Sequence, residues 1–270
     1  MSKDAGVVPE GDASSIQRNW DAPCCYVIAD DLADSHSDLT SRARLLAARA
    51  PGSGVWLQAL PVANIGLKLD DASLSVAVAL RLGAPAVHPH MCKCGASVLA
   101  DGHHGLSCVR SAGRQSRHAV VNDLIKRALV SAGVQNIREP TGLCAVSDLR
   151  PDGVTLIPWS RGKALVWDFT CPDTLAPSHV RQSSVSAGAV AKIAERNKSS
   201  KYKSLESNFT VIPLVVETFG VWGSMAGDFF GDLGRRIALS TNEPRATAFL
   251  LQRIAIAVQR GNAASVLGTF

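Results

Sequence analysis

The pattern of apolar and polar positions becomes regular only in the second part of this 270-residue chain. Over residues 114–132 the apolar side chains recur at helical spacing, with Val121 and Leu124 on one face, which predicts an amphipathic helix. Lys163–Thr170 is apolar up to its last positions and predicts a buried strand. Further strands are predicted at 134–139, 152–157 and 209–218, and further helices at 183–206, 225–240 and 244–260. This order of elements favours an α/β fold with a mixed sheet flanked by helices.

The first part of the chain has weaker signals. Residues 1–54 are rich in Asp, Ser, Ala and Gly and are interpreted as a flexible acidic linker, with one short helix at 39–50 that Pro51-Gly52 stops. Residues 55–112 are predicted to form a helical segment with a cluster of Cys and His. Within it we expect a short strand at 66–69 and a helix from Asp71, as N-cap, to Gly83 as C-cap. Residues 113–265 then form the main domain.

Composition narrows the class of protein. Hydrophobic residues make up 46% of the chain, enough for a real core, so global disorder is not expected. The seven cysteines are too few for a disulfide-rich secreted scaffold, and the amino terminus lacks the apolar core of a signal peptide. No apolar run approaches the roughly 18 residues of a membrane span. These features predict an intracellular protein without a membrane partner, whose reduced thiols are free to bind metal.

Cysteine and histidine are concentrated in residues 88–108. A tetrahedral zinc site needs four ligands that converge from a short segment, and Cys92 and Cys94 supply one arm while His104 and Cys108 supply the other. His103 is the alternative imidazole, and His90 could substitute in the first arm. The spacing therefore predicts a small zinc knuckle.

Two aspartates lie at matched ends of neighbouring predicted strands. Arg150-Pro151-Asp152 opens one strand, and Asp168 lies near the end of the next. Because adjacent strands are about 4.8 Å apart, carboxylates at matched ends can share a cation. Hard carboxylate oxygens suit Mg²⁺ or Mn²⁺, which can activate water and stabilise charge on a phosphate.

The order of these motifs resembles a known family. Cys-x-Cys, His-x3-Cys, Arg117-His118, Arg150-Pro151-Asp152 and Asp168 follow one another as in the restriction-like endonuclease region of certain non-long-terminal-repeat retrotransposon proteins. The resemblance covers about residues 55–265. It implies a nuclease of the PD-(D/E)XK class, with a restriction-endonuclease-like mixed sheet flanked by helices and preceded by a zinc knuckle. Proteins of that family nick target DNA and prime reverse transcription from the nick.

The resemblance also implies roles for single residues. Asp152 matches the first metal-binding acid and Asp168 the second, while Arg117 and His118 match the basic positions that open the first core helix. The four knuckle residues match the zinc ligands. DNA is then the expected partner, together with element RNA and a reverse transcriptase, and the expected location is nuclear. No reverse transcriptase accompanies the motifs here, which suggests a fragment, a separately encoded domain or a remnant of a mobile element.

The lysine of the class pattern is missing, because Phe169-Thr170 follows Asp168. In the helix predicted at 183–206, Lys198 and Tyr202 lie one turn apart on a common face, so we expect Lys198 to replace the missing lysine, with Tyr202 beside it. Lys201 is the alternative.

Basic residues of the knuckle and the first helix could contact phosphates, and Arg114 and Arg117 are the preferred contacts. Two other classes of function stay open. One is a catalytically inactive nucleic-acid-binding remnant that keeps the nuclease fold, and the other is a zinc-stabilised interaction domain.

Overall fold

A computed structural model describes residues 17–143 and 149–270. The chain forms a mixed α/β fold around a four-stranded sheet of order β3-β4-β5-β6, in which β3, β4 and β5 are antiparallel and β6 pairs parallel to β5. The strands are β1 (His90–Met91), β2 (Ser97–Val98), β3 (Asn136–Arg138), β4 (Gly153–Ser160), β5 (Lys163–Thr170) and β6 (Phe209–Val215). The helices are α1 (Gln17–Ser35), α2 (Leu39–Arg49), α3 (Asp71–Leu82), α4 (His104–Ser107), α5 (Ala112–Ser131), α6 (Val180–Ser183), α7 (Ala189–Lys201), α8 (Ser224–Thr241) and α9 (Ala246–Leu267). The expected mixed sheet flanked by helices is confirmed.

Strand β5 is the centre of the fold and is covered on both faces. Leu165, Trp167 and Phe169 point into the main core, which α5, α8 and α9 complete, and each such buried side chain contributes roughly 1.5–3 kcal/mol. Val166 points to the opposite face and packs with Tyr202 at the end of α7. Because side chains alternate along a strand, Asp168 lies on the same face as Val166 and is turned towards α7.

Gly153 is needed where β4 begins. A Cβ atom built on it would lie 2.0 Å from the ring of Trp167, so any side chain would displace that tryptophan. Trp167 is fully buried, and its indole Nε1 donates a hydrogen bond of 3.0 Å to Asn122 on α5. The close approach fixes the start of β4 against both β5 and α5.

The described part of the segment interpreted as a linker, residues 17–54, contains two helices in the structure. Its helix at 39–50 is confirmed as α2, but a further helix, α1, precedes it. Ala43, Leu46 and Ala47 of α2 are buried, and the two alanines join the same core cluster as Val266 of α9. The spacing of these small residues produces a buried face although the segment as a whole is polar.

Other boundaries differ for local reasons. The strand expected at 66–69 is wrong, because Leu67 and Leu69 are buried without pairing with a strand. Gly83 caps α3 with a left-handed φ of 73°, as expected, whereas the N-cap is Asp70. The long helix expected at 183–206 is interrupted by Gly188, whose φ is 79°, so α7 begins after it.

Within residues 17–143 and 149–270, no helix is both long and apolar enough to span a membrane.

A buried polar network lies beside the sheet, outside the sites that the sequence predicts. Glu217 is almost fully buried and accepts hydrogen bonds from Thr174 Oγ1 at 2.9 Å and from the amide of Ala191, near the start of α7, at 2.8 Å. Asp173 is buried close to it. Burial raises the pKa of Glu217 despite these hydrogen bonds, so the fold favours the neutral carboxyl.

We expect Glu217→Gln to stabilise the protein more at pH 8 than at pH 5. A raised folded-state pKa gives stability that is complete below the unfolded-state pKa of about 4.3 and is lost as pH rises through the folded-state value. Glutamine avoids that loss because it carries no charge. Melting temperatures of both proteins at the two pH values measure the effect, with the exposed Glu206→Gln as control. A difference that does not change with pH would contradict this assignment.

Candidate functional site

Three cysteines and one histidine converge where the β1–β2 hairpin meets α4. The ligand atoms of Cys92, Cys94, His104 and Cys108 all lie within 4.8 Å of one another. The sulfurs of Cys92 and Cys108 are 3.8 Å apart, and the sulfur of Cys94 lies 3.3 Å from His104 Nε2. Sulfurs bound at about 2.3 Å to a tetrahedral zinc ion are themselves about 3.8 Å apart. The cluster can hold a metal ion such as zinc.

The two alternative histidines have other contacts. His103 packs edge-on against Phe219, with ring centroids 6.3 Å apart, and burial lowers its pKa. His90 stacks on Phe270 with a centroid distance of 3.8 Å, and its Nε2 lies 2.9 Å from Thr269 Oγ1. His104 is therefore the imidazole that completes the cluster.

The cluster is fastened to the main fold by close packing against α9. A Cβ atom on Gly105 would lie 2.7 Å from the carbonyl oxygen of Ser265, and one on Gly113 would lie 2.4 Å from the amide nitrogen of the same residue. Both positions need glycine because backbone meets backbone there. A bound metal would thus stabilise a segment that is continuous with the start of α5.

The two aspartates lie at the same end of adjacent strands. Asp152 directly precedes β4, and its amide donates to Trp167 on β5 at 3.0 Å. Its Oδ2 also accepts a hydrogen bond of 2.6 Å from the amide of Phe169. Asp168, the residue between these two, has only 6% of its surface exposed. The antiparallel pairing of β4 with β5 thus brings both carboxylates to one edge of the sheet.

His118 approaches the aspartates from α5. Its Nε2 lies 3.1 Å from Asp152 Oδ2, and Asn122, which is anchored by Trp167, lies one helical turn further along. The hydrogen bond with Asp152 raises the pKa of His118, and the nearby charge of Asp168 adds to this. Burial raises the pKa of Asp152, but the contacts with His118 outweigh it and leave that pKa lowered. The pair therefore favours an imidazolium beside a carboxylate.

Lys198 and Tyr202 reach Asp168 from the other side. Lys198 Nζ lies 2.8 Å from Asp168 Oδ1, and the hydroxyl of the fully buried Tyr202 donates to Oδ2. Lys201 Nζ is 3.0 Å from the Tyr202 hydroxyl and stands over its ring, and it has no ion pair with Asp168. Burial, together with Asp168, raises the pKa of Tyr202, which keeps the phenol protonated as a donor. Lys198 is thus the lysine in direct contact with the acid.

A polar cavity of about 420 Å³ lies between the residues that follow Cys108 and His118, which contacts Asp152. Its lining runs from Val109 and Ser111, next to Cys108, through Arg114 to His118. Arg114 is exposed and also donates to the carbonyls of Ser107 and Cys108 at 3.3 and 3.4 Å. The cavity is open enough, and basic enough, to admit an anionic group.

Arg117, which the sequence predicts as a DNA contact, is placed differently from Arg114. Only 3% of it is exposed, and its guanidinium donates to Asn262 on α9 and, at 3.5 Å, to the carbonyl of Cys171. Its side chain packs over Gly261, where a Cβ atom would lie 2.4 Å away. This burial corrects the expectation: Arg117 forms part of the cavity wall and holds α5 to α9, and Arg114 is the accessible cation.

Two further acids close to these elements in the sequence lie away from the aspartate pair. Asp123 pairs with Arg127 one turn along α5, and Glu139 has a side chain that is 80% exposed. The residue that sequence reasoning missed is Asn122, whose amide links Trp167 to His118. Residues 118 and 122 are spaced one helical turn apart, which could have indicated that Asn122 belongs with His118. The apolar residues around Asn122 in the sequence favoured a core position instead.

The chain was compared with models of known protein families and with curated proteins. No family model matches it, and no curated protein matches it. The features that bear on function are therefore the Cys₃His cluster, the aspartate pair and the side chains around them.

Proposed function

We propose that this chain is a metal-dependent DNA endonuclease of the restriction-endonuclease type, which nicks target DNA for a retrotransposon-related protein. The observation that carries the proposal is the arrangement of Asp152 and Asp168 at one end of β4 and β5, with Lys198 Nζ 2.8 Å from Asp168. Two carboxylates and a lysine at one point of a sheet are the groups that metal-assisted phosphodiester hydrolysis needs.

The donor set fits a hard divalent cation. Carboxylate oxygens are the ligands that Mg²⁺ and Mn²⁺ prefer, and the hydrogen bond from the Phe169 amide and the contact with His118 share one oxygen of Asp152, Oδ2. Asp152 and Asp168 would hold the cation. When bound, Mg²⁺ supplies Lewis-acid stabilisation of the phosphate and lowers the pKa of water. In the Cys₃His cluster, by contrast, soft thiolates select Zn²⁺, with a structural role.

The remaining side chains have distinct tasks in this proposal. Lys198 carries a positive charge to the edge of the site, where it can stabilise the charge that develops on the attacked phosphate. Tyr202 fixes the orientation of Asp168 by donating to Oδ2. His118 orients Asp152 and adds a second positive charge beside the cavity.

The cavity between the metal cluster and the aspartates is the proposed path of the DNA backbone. Arg114 would contact phosphates there, and the knuckle would form one wall. Element RNA and a reverse transcriptase are further partners under this proposal, and the location is nuclear because the substrate is chromosomal DNA.

The proposal is tested by incubating the purified chain with supercoiled plasmid and Mg²⁺ or Mn²⁺, and with Ca²⁺ as a cation of similar ligand preference. We expect conversion to nicked circles with Mg²⁺ or Mn²⁺. An absence of nicking with every cation, by protein that is folded and loaded with zinc, would overturn it.

A catalytically inactive nucleic-acid-binding remnant is the second candidate. It is favoured by one observation: both oxygens of Asp168 are already engaged, by Lys198 and by Tyr202, which competes with a cation. The same plasmid assay distinguishes the two, because the remnant would retain the plasmid in a gel without nicking it.

DNA binding should weaken steeply as salt rises, because phosphate contacts release counterions. We expect Arg114→Gln to reduce the slope of log affinity against log salt by about 1. Arg235→Gln, at an exposed position on α8, is the matched control and should leave the slope unchanged. Fluorescence anisotropy with a labelled duplex measures both slopes, and equal slopes for Arg114→Gln and wild type would remove Arg114 from the interface.

A further inference from the structure

Three arginines line a second cavity, of about 450 Å³, that has no part in the acidic site. Arg127 comes from α5, and Arg253 and Arg260 come from α9, while the turn at 63–66 closes one side. Arg127 lies on the side of α5 opposite to His118, since nine residues at 100° each turn the helix by about half a circle. The lining residues, all within the described chain, include no acid.

Arg253 is the unusual member of this arginine cavity. Its Nε is buried and has no hydrogen-bond partner among the described residues. Burial lowers the pKa of Arg253, and the charge of Arg127 lowers it further. A guanidinium whose Nε is buried without a partner, beside a second cation, carries an unmet cost, and an anion in the cavity would offset it.

The other two arginines are held in place. Arg260 donates to the carbonyls of Gly66 and Lys68 at 3.1 and 2.8 Å, which ties it to the turn that closes the cavity. Arg127 is paired with Asp123 on the exposed side of α5. Among the described residues, one of the three guanidinium groups, that of Arg127, has a carboxylate partner, and fixed positions reduce the entropy that binding costs. Guanidinium donors match phosphate oxygens in geometry as well as in charge.

We propose that the arginine cavity binds a backbone phosphate of a second nucleic-acid segment, on the side of α5 away from the acidic pair. The affinity for phosphate follows from Arg127, Arg253 and Arg260. The commitment to nucleic acid rests on the proposed nuclease function. A segment bound here would hold the chain on its nucleic acid while another segment occupies the cavity beside His118.

The test is fluorescence anisotropy of the full chain without Mg²⁺, using a labelled DNA duplex and a labelled single-stranded RNA of equal length. Arg253→Met removes the charge and keeps the unbranched stem up to about the position of Nε, Arg253→Lys keeps the charge, and Arg235→Met on α8 is the matched control. We expect Arg253→Met to weaken binding about tenfold and to reduce the salt slope by about 1. Arg253→Lys should recover most of the affinity, and Arg235→Met should bind as wild type does.

The melting temperature distinguishes binding from a structural role. Because Arg253 Nε has no partner among the described residues, a role in binding predicts that Arg253→Met melts at the wild-type temperature or above it. A lower melting temperature with unchanged affinity, or wild-type affinity for both probes, would overturn the proposal. A loss confined to one probe identifies DNA or RNA as the occupant. The nuclease proposal can fail independently of this one. In that case the wild-type protein would not nick plasmid, while Arg253→Met would still lose affinity for nucleic acid.

Discussion

Replacing Lys198 by alanine should lower the rate of DNA cleavage at saturating DNA by about a hundredfold or more, with near-normal binding. The reason is the position of its ammonium, 2.8 Å from Asp168 Oδ1 and on the side of the sheet that α7 covers. Removing a positive group from that point leaves developing phosphate charge without a partner. Single-turnover rates with saturating plasmid measure the effect, since they exclude product release.

Lys201→Ala is the matched control for Lys198→Ala. Lys201 lies on the last turn of the same helix, but its ammonium contacts the Tyr202 hydroxyl rather than the acid. We expect a loss of only a few fold, through a less constrained Tyr202. If Lys198→Ala binds more weakly while its maximal rate survives, Lys198 is a phosphate contact and the proposed catalytic role is wrong.

Cys92→Ser should abolish zinc binding and destabilise the protein. Wild-type protein is expected to contain about one zinc per chain, because four ligands close the tetrahedron. Zinc at a free concentration a thousand times its dissociation constant adds about 4 kcal/mol to the free energy of unfolding. This corresponds to roughly 10 °C in melting temperature for a chain of this size. Elemental analysis and thermal melting measure the two effects.

The exposed Cys24 provides the control for Cys92→Ser. Cys24→Ser removes a thiol outside the cluster, so its zinc content and melting temperature should equal those of wild type. If carefully reduced wild-type protein contains no zinc, the assignment of this cluster as a zinc site is wrong. The proximity of Cys92 and Cys108 would then be a packing feature.

The sheet was the most predictable part of the fold. Lys163–Thr170 contains the uninterrupted apolar run Ala164–Trp167 between a turn and a loop, so β5 was readable from hydropathy. The end of that strand then fixed the place of Asp168. Helix α1 was missed because it contains Pro23 and has no apolar face, so no periodicity marks it.

The candidate site was predictable where its residues end neighbouring strands, as Asp152 and Asp168 do, or share one face of a helix, as Lys198 and Tyr202 do. Arg117 was expected at the surface, but Asn262, which is 145 residues away, draws it into the interior. Glu195 shares the helical face of Lys198, yet its carboxylate accepts from the amide of Met225 at the start of α8. Such contacts depend on how helices pack against each other. The spacing of residues along one helix carries no information about that packing.

The rate at which Asp152→Asn nicks supercoiled plasmid, relative to wild type, is the most direct test of the aspartate pair as a metal-dependent nuclease centre. Asparagine keeps the size of the side chain and its bond to the Phe169 amide, but it removes the anionic ligand. We expect a loss of at least about a hundredfold in Mg²⁺ or Mn²⁺, with zinc content and melting temperature near those of wild type. Nicking by Asp152→Asn at the wild-type rate would contradict it.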